Sequence, residues 1–178
     1  MTPFLETLAR ERLLPLASPA SVDDARRAVD TVGSGLLEIA LRRPGGLEAL
    51  RAVAATPGVL VGAGTVLSAE QVDAVVDAGA AFVVTPGFSA SVVDRCLVLG
   101  VPVLPGVSSA GEVMAALDLG VDVVKLFPAA LLGGPAMADA LAGPFPGVRL
   151  VPSGGVTAET APDYLARPNV LAVSRSVA

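Results

Sequence analysis

Residues 59–84, VLVGAGTVLSAEQVDAVVDAGAAFVV, decide the fold. The apolar run Val59–Gly62 reads as a strand and gives way to the small residues Gly62-Ala63-Gly64. Ser68-Ala69-Glu70-Gln71 then reads as a capping box, in which a Ser hydroxyl and a Gln side chain satisfy amides that a new helix leaves unpaired. Apolar residues recur at helical spacing from Ala69 to Ala78. Gly79 suits the left-handed position after a helix, and Phe82–Val84 begins a second apolar run. Strand, helix and strand in this order make a βα unit, because parallel neighbours need a long crossover.

The same alternation continues in both directions. Further strands are expected near Leu13–Ala17, Leu36–Leu41, Val103–Pro105, Val123–Phe127, Arg149–Val151 and Val170–Val173. Further helices are expected near Val22–Val32, Gly46–Ala55, Ser89–Leu99, Ala110–Leu119, Ala136–Leu141 and Ala158–Ala166, with Pro3–Glu11 as a leading helix. Gly100 and Gly120 follow apolar helices as Gly79 does. Eight strands in strict alternation favour an α/β (β/α)8 TIM barrel over an open doubly wound sheet. The chain stops just after the eighth strand, so the barrel is expected to lack the final C-terminal helix. Residues 1–178 read as a single domain, with no low-complexity linker.

Composition narrows the chemistry. The chain is 53% hydrophobic, yet Gly, Pro and charges break every run short of the roughly 20 apolar residues that cross a bilayer. The N-terminus lacks a basic region and carries acids early, which argues against a secretory signal. The single cysteine, Cys96, excludes an intrachain disulfide and reads as a packing residue; a cytoplasmic location fits best. A net charge of −5 without a basic cluster gives no support to nucleic-acid or membrane partners. There is no histidine, which removes a His general base, His metal ligands and the Ser-His-Asp arrangement. No metal site is expected, and acid–base work falls to carboxylates, a lysine, Tyr164 or water.

That lysine is Lys125, the only one in the chain beside eleven arginines. It lies in the apolar run Val121-Asp122-Val123-Val124-Lys125-Leu126-Phe127-Pro128. Arginine stays protonated, whereas an amine taken out of water loses its proton more readily and can act as a nucleophile or Schiff-base former. The alternative is a lysine that snorkels from a strand end to water. In Gly35-Leu36-Leu37-Glu38-Ile39-Ala40-Leu41-Arg42, alternation puts Glu38, Ala40 and Arg42 on one face. On an interior face Glu38 would be buried and suited to proton shuttling, while Arg42 at the mouth could clamp a carboxylate. A structural Glu–Arg ion pair is the alternative. In Gly62-Ala63-Gly64-Thr65-Val66 the small residues would let a substrate approach, and Thr65 offers a hydroxyl. Thr85-Pro86-Gly87-Phe88 and Pro105-Gly106-Val107-Ser108 read as turns. Val151-Pro152-Ser153-Gly154-Gly155-Val156-Thr157 leads into a helix and could present amides to an anion, with Ser174, Arg175 and Ser176 as further donors; a tight turn is the competitor.

Five segments then carry a family resemblance: Leu37-Glu38-Ile39-Ala40-Leu41-Arg42, Val61-Gly62-Ala63-Gly64-Thr65-Val66-Leu67, Thr85-Pro86-Gly87-Phe88, Val124-Lys125-Leu126-Phe127-Pro128-Ala129 and Pro152-Ser153-Gly154-Gly155-Val156. In order and spacing the chain resembles the class I (Schiff-base) 2-keto-3-deoxy-6-phosphogluconate (KDPG) aldolase / 4-hydroxy-2-oxoglutarate aldolase family. The resemblance implies a lyase that reversibly cleaves such acids to pyruvate and an aldehyde, glyceraldehyde 3-phosphate or glyoxylate. It implies that Lys125 forms the imine and Glu38 moves protons. Arg42 and Thr65 would orient the keto-acid end, with Pro86 and Phe127 shaping the pocket and Gly154, Gly155 and Ser176 holding a phosphate. It also implies no cofactor and a homotrimer.

The chain departs from the family pattern where Gly-Gly-Ser is usual and Ser174-Arg175-Ser176 stands, and at Arg43, Ala130, Ser153 and Ala17-Ser18-Pro19. These departures leave open a non-catalytic or altered-specificity relative acting as a ligand-binding or assembly subunit. A phosphosugar epimerase or synthase barrel is disfavoured, because its usual metal or His groups are missing.

Overall fold

Alternating apolar strands and amphipathic helices run through residues 2–33 and 35–177, which the computed structural model describes. In order they are α1 (Pro3–Glu11), β1 (Leu13–Ala17), α2 (Val22–Val32), β2 (Gly35–Ala40), α3 (Gly46–Val53), β3 (Val59–Gly64), α4 (Ala69–Asp77) and β4 (Val83–Val84). There follow α5 (Ala90–Leu99), β5 (Val103–Leu104), β6 (Gly106–Val107), α6 (Ala110–Asp118), β7 (Val123–Leu126), α7 (Pro135–Ala142), β8 (Arg149–Pro152), α8 (Ala161–Leu165) and β9 (Val173–Ser176). Hydroxyls start several helices. Thr2, Ser21, Ser68 and Ser109 each accept from the amide three residues on, a cap worth about 1 kcal/mol. Gln71 reaches back past Ser68, its side-chain oxygen accepting from the Leu67 amide at 2.6 Å. Gly79, Gly100 and Gly120 all take the positive φ expected of them.

The closed eight-stranded barrel expected from the alternation is not what forms. The parallel strands make two sheets, six strands in the order β5-β4-β3-β2-β1-β9 and three in the order β6-β7-β8. The larger is a curled half-barrel. Between β8 and the chain around β9 run isolated bridges, Leu150 with Val170 and Ser153 with Ser174, rather than a ladder. Proline is the physical reason on one side. Pro105 has no N–H: the expected strand Val103–Pro105 stops at Leu104 as β5, and Gly106–Val107, expected to be part of a turn, form β6 in the other sheet. On the other side β8 ends at Pro152, and the last strand is displaced from the expected Val170–Val173 to Val173–Ser176.

Three apolar clusters follow from the two faces of the sheets. α2 to α5 cover the outer face of β2 and β3 through Ala25, Leu50, Val72 and Val92 against Leu37, Ile39, Val61 and Ala63. Residues of α6 to α8, including Val113, Leu141 and Tyr164, cover Val124, Leu126 and Leu150. The inner face is filled at the N-terminal strand ends by Phe4 and Leu8 of α1, with Leu14, Leu36, Phe82, Leu104 and Val151. Phe4 stacks on Phe82 with centroids 4.2 Å apart. Because α1 plugs that end, polar side chains on the inner face collect toward the opposite, C-terminal strand ends. No helix among the described residues is long and apolar enough to cross a membrane.

Candidate active site

Strand alternation puts Leu36 and Glu38 of β2 on the inner face, while Leu37 and Ile39 face the helices. Glu38 is therefore fully buried, with 0% of its side chain exposed, and Lys125 of β7 is only 3% exposed. They belong to different sheets and meet across the interior, Lys125 Nζ to Glu38 Oε1 at 3.4 Å. Lys125 does not snorkel, and the alternative Glu38–Arg42 pair does not form: the carboxylate's partner is the lysine. Glu38 Oε2 is buried without a hydrogen-bond partner, leaving an acceptor free within the site. Lys125 Nζ also lies 5.6 Å from the Phe127 ring centroid, within cation–π range.

The glycines of β3 make room for protein side chains in a way the sequence alone does not disclose. They were expected to admit a substrate to the backbone, but protein side chains fill the space. A Cβ at Gly62 would collide with the Phe82 ring, and one at Gly64 with the Glu38 carboxylate. Gly64→Ala is expected to displace Glu38 and lower turnover roughly 10- to 100-fold while leaving the circular dichroism of the fold intact. Steady-state kinetics on the folded variant check this, and wild-type turnover would show that the close approach is dispensable.

Around the mouth, Arg42 follows β2 and donates from Nε to Thr65 Oγ1 at 3.3 Å. Thr65 holds φ +60°, a left-handed conformation that is strained for a β-branched residue and fixes its hydroxyl at the strand end. A cavity of about 640 Å³ opens here, lined by Arg42, Phe127, Gly154, Gly155, Arg175 and Ser176 among others. Its Gly154-Gly155 turn is tied to the loop after β7. The amides of Ala129 and Ala130 donate to the carbonyls of Ser153 and Gly154 at 2.7 and 3.0 Å. Both glycines have positive φ, and a Cβ on Gly155 would sit 2.5 Å from that of Ala130. Lys125 and Glu38 are not part of this lining, which Lys125 Nζ meets through the Phe127 ring.

Thr65 reaches the cavity through Arg42, while Pro86 stands apart from it, its carbonyl packed on Gly106. Glu159 also lines the cavity. Its carboxyl is held below the usual carboxylate range, first by the Thr157 hydroxyl, then by its own backbone and the charge of Arg175. Nothing in its sequence context marked Glu159. Thr85, read only as part of a turn, is buried and doubly hydrogen-bonded. Cys96 is buried against the outer cluster, and burial pushes its thiol up to about 11, which suits packing rather than nucleophilic chemistry.

The chain is 45% identical over 180 residues to the 2-dehydro-3-deoxy-phosphogluconate aldolase of Treponema pallidum, covering 99% of this chain and 86% of that one. The crystal structure of the 2-keto-3-deoxy-6-phosphogluconate aldolase of Zymomonas mobilis with 3-phosphoglycerate superposes with a TM-score of 0.91 at 36% identity, covering 96% of this chain and 84% of that one. The KDPG aldolase of Legionella pneumophila, with pyruvate captured at low pH as a covalent carbinolamine intermediate, superposes with a TM-score of 0.90 at 35% identity, covering 97% and 86%. A family model for KDPG and KHG aldolase matches residues 5–178, and this chain therefore belongs to the KDPG and KHG aldolase family of carbon–carbon lyases.

Proposed function

We propose that this protein is a class I aldolase that reversibly cleaves 2-keto-3-deoxy-6-phosphogluconate or 4-hydroxy-2-oxoglutarate type acids to pyruvate and an aldehyde. The observation that carries the proposal is the buried Lys125–Glu38 contact at 3.4 Å. An amine attacks a carbonyl only after losing its proton, and Glu38 Oε1 is the acceptor within reach. Nζ adds to C2 of the keto acid to give a carbinolamine; Glu38 returns the proton to the carbinolamine hydroxyl, which leaves as water to give an iminium and restores the Glu38 carboxylate. Glu38 then takes the proton of the C4 hydroxyl. The C3–C4 bond breaks, its electron pair moves into the iminium to form an enamine, and the aldehyde departs. Protonation at C3 and addition of water release pyruvate and restore the lysine.

Arg42 and Thr65, already joined by a hydrogen bond, hold the carboxylate of the keto acid. Phe127 forms a pocket wall, and Gly154, Gly155 and Ser176 take a distal phosphate. Incubation with pyruvate followed by borohydride reduction is expected to leave a stable adduct on the peptide containing Lys125, read by mass spectrometry. Absence of that adduct overturns the imine mechanism. An adduct without retro-aldol turnover on either class of acid would favour a non-catalytic ligand-binding subunit.

The same reading places the protein in the cytoplasm as a homotrimer. Support for assembly comes from Leu97, Val98 and Leu99 on α5 and Met114 and Leu117 on α6, large apolar side chains left exposed. Sedimentation is expected to give three times the chain mass. The double substitution Val98→Glu and Met114→Glu is expected to shift it toward the monomer, and a monomeric wild-type protein contradicts the assignment.

A further inference from the structure

The junction between the two sheets is made by a side chain where the backbone ladder fails. β4 and β5 pair regularly, Val83 with Val103 and Val84 with Leu104, and the Thr85 amide donates to the Leu104 carbonyl at 3.2 Å. One residue on, Pro105 ends β5 and the chain enters β6, which pairs with β7 in the other sheet. At this break the Gly106 amide donates to Thr85 Oγ1 at 2.9 Å, and the Thr85 hydroxyl donates to the Gly87 carbonyl at 2.7 Å. Thr85 is 1% exposed, and its bond from the Gly106 amide is buried, where losing a partner costs most.

Each end of this link touches the reaction centre indirectly. The bond to Gly87 closes the turn that carries Pro86. That turn sits directly on Gly106, where an added Cβ would lie 2.6 Å from the Gly87 nitrogen. Gly106 is in register with Lys125, whose amide donates to the Pro105 carbonyl at 2.8 Å. The geometry points to Thr85 as a positioning residue: its hydroxyl fixes the strand bearing Lys125, and the turn at Pro86, relative to the sheet bearing Glu38. This inference rests on the imine reading for its kinetic consequence but not for its structural one. A lysine amine and a carboxylate supplied by separate sheets stay at reacting distance only if the sheets cannot slide, and a displacement of about 1 Å can cost on the order of 100-fold in rate.

The test compares Thr85→Val, which keeps shape and removes both bonds, with Thr85→Ser, which keeps the hydroxyl and removes the methyl. Two readouts are taken well below the melting temperature. The first is the rate of borohydride-trapped imine formation at saturating pyruvate, expected to fall roughly 10- to 100-fold in Thr85→Val and to stay within about threefold of wild type in Thr85→Ser. The second is amide hydrogen exchange at Gly106 and Lys125, expected to accelerate in Thr85→Val alone. Wild-type imine rates and exchange in a folded Thr85→Val protein overturn the inference, and so does a Thr85→Ser protein as impaired as Thr85→Val. If Thr85→Val does not fold, Thr85→Ser against Thr85→Ala makes the same comparison. Failure of the wild-type protein to form any imine counts against the aldolase reading, and the exchange measurement then decides the role of Thr85 by itself.

Discussion

Arginine in place of Lys125 is expected to abolish imine formation and to lower retro-aldol turnover by on the order of 10⁴-fold or more. The guanidinium keeps the charge beside Glu38 but has no amine that can form an imine, so the covalent route closes while the ion pair is retained. A coupled assay for pyruvate release, together with the absence of a borohydride adduct, checks the result. Lys125→Met separates chemistry from stability. It leaves the fully buried Glu38 carboxylate without its cation, a loss of about 3–5 kcal/mol by analogy with other broken buried pairs. Urea denaturation should therefore rank Lys125→Met well below wild type. Appreciable turnover in Lys125→Arg would mean that the reaction does not pass through this lysine.

Glu38→Gln is the second large effect. The amide matches the carboxylate in volume and can still accept from Lys125, but it cannot take a proton. Turnover is expected to fall by roughly 10²- to 10⁴-fold, the span usual for a positioned acid–base group. KM for the keto acid should change far less, because Arg42 and Thr65, which hold the carboxylate end, are untouched. Trapped imine should still form, more slowly, so the split between slow imine formation and near-normal KM distinguishes proton transfer from substrate binding. Turnover equal to wild type would remove Glu38 from the chemistry and leave it a buried counter-ion.

Much of the element order could be read from pattern. α1, β1 and α2 begin and end where the alternation of apolar runs and amphipathic segments placed them. The β3–α4 unit departs from expectation by two residues at the end of the strand and one at the end of the helix. Closure was not legible. Strand count and alternation are the same for a closed barrel and for a curled sheet beside a smaller one. What decides between them is whether each backbone N–H finds its carbonyl at the edges. Pro105 and Pro152 stand where that pairing would be needed, and their effect depends on partners distant in sequence. Thr85 illustrates the same limit: a threonine before a proline reads as a turn, and only the neighbouring strand reveals the rung it replaces.

The site divides in the same way. The sequence by itself determined which groups are available: one lysine, no histidine, and a carboxylate inside an apolar strand with an arginine four residues on. Those are matters of composition and period-two spacing, and they need no coordinates. Tertiary structure alone decided that Glu38 pairs with Lys125 rather than Arg42, and that Gly64 exists to admit a carboxylate rather than a substrate. It also decided that Glu159 and Arg175 share the distal cavity. Each of these depends on contacts between segments far apart in the chain, 87 residues for the Lys125–Glu38 pair. Local pattern sets the face on which a side chain emerges, and the curvature of the sheets sets what it meets there.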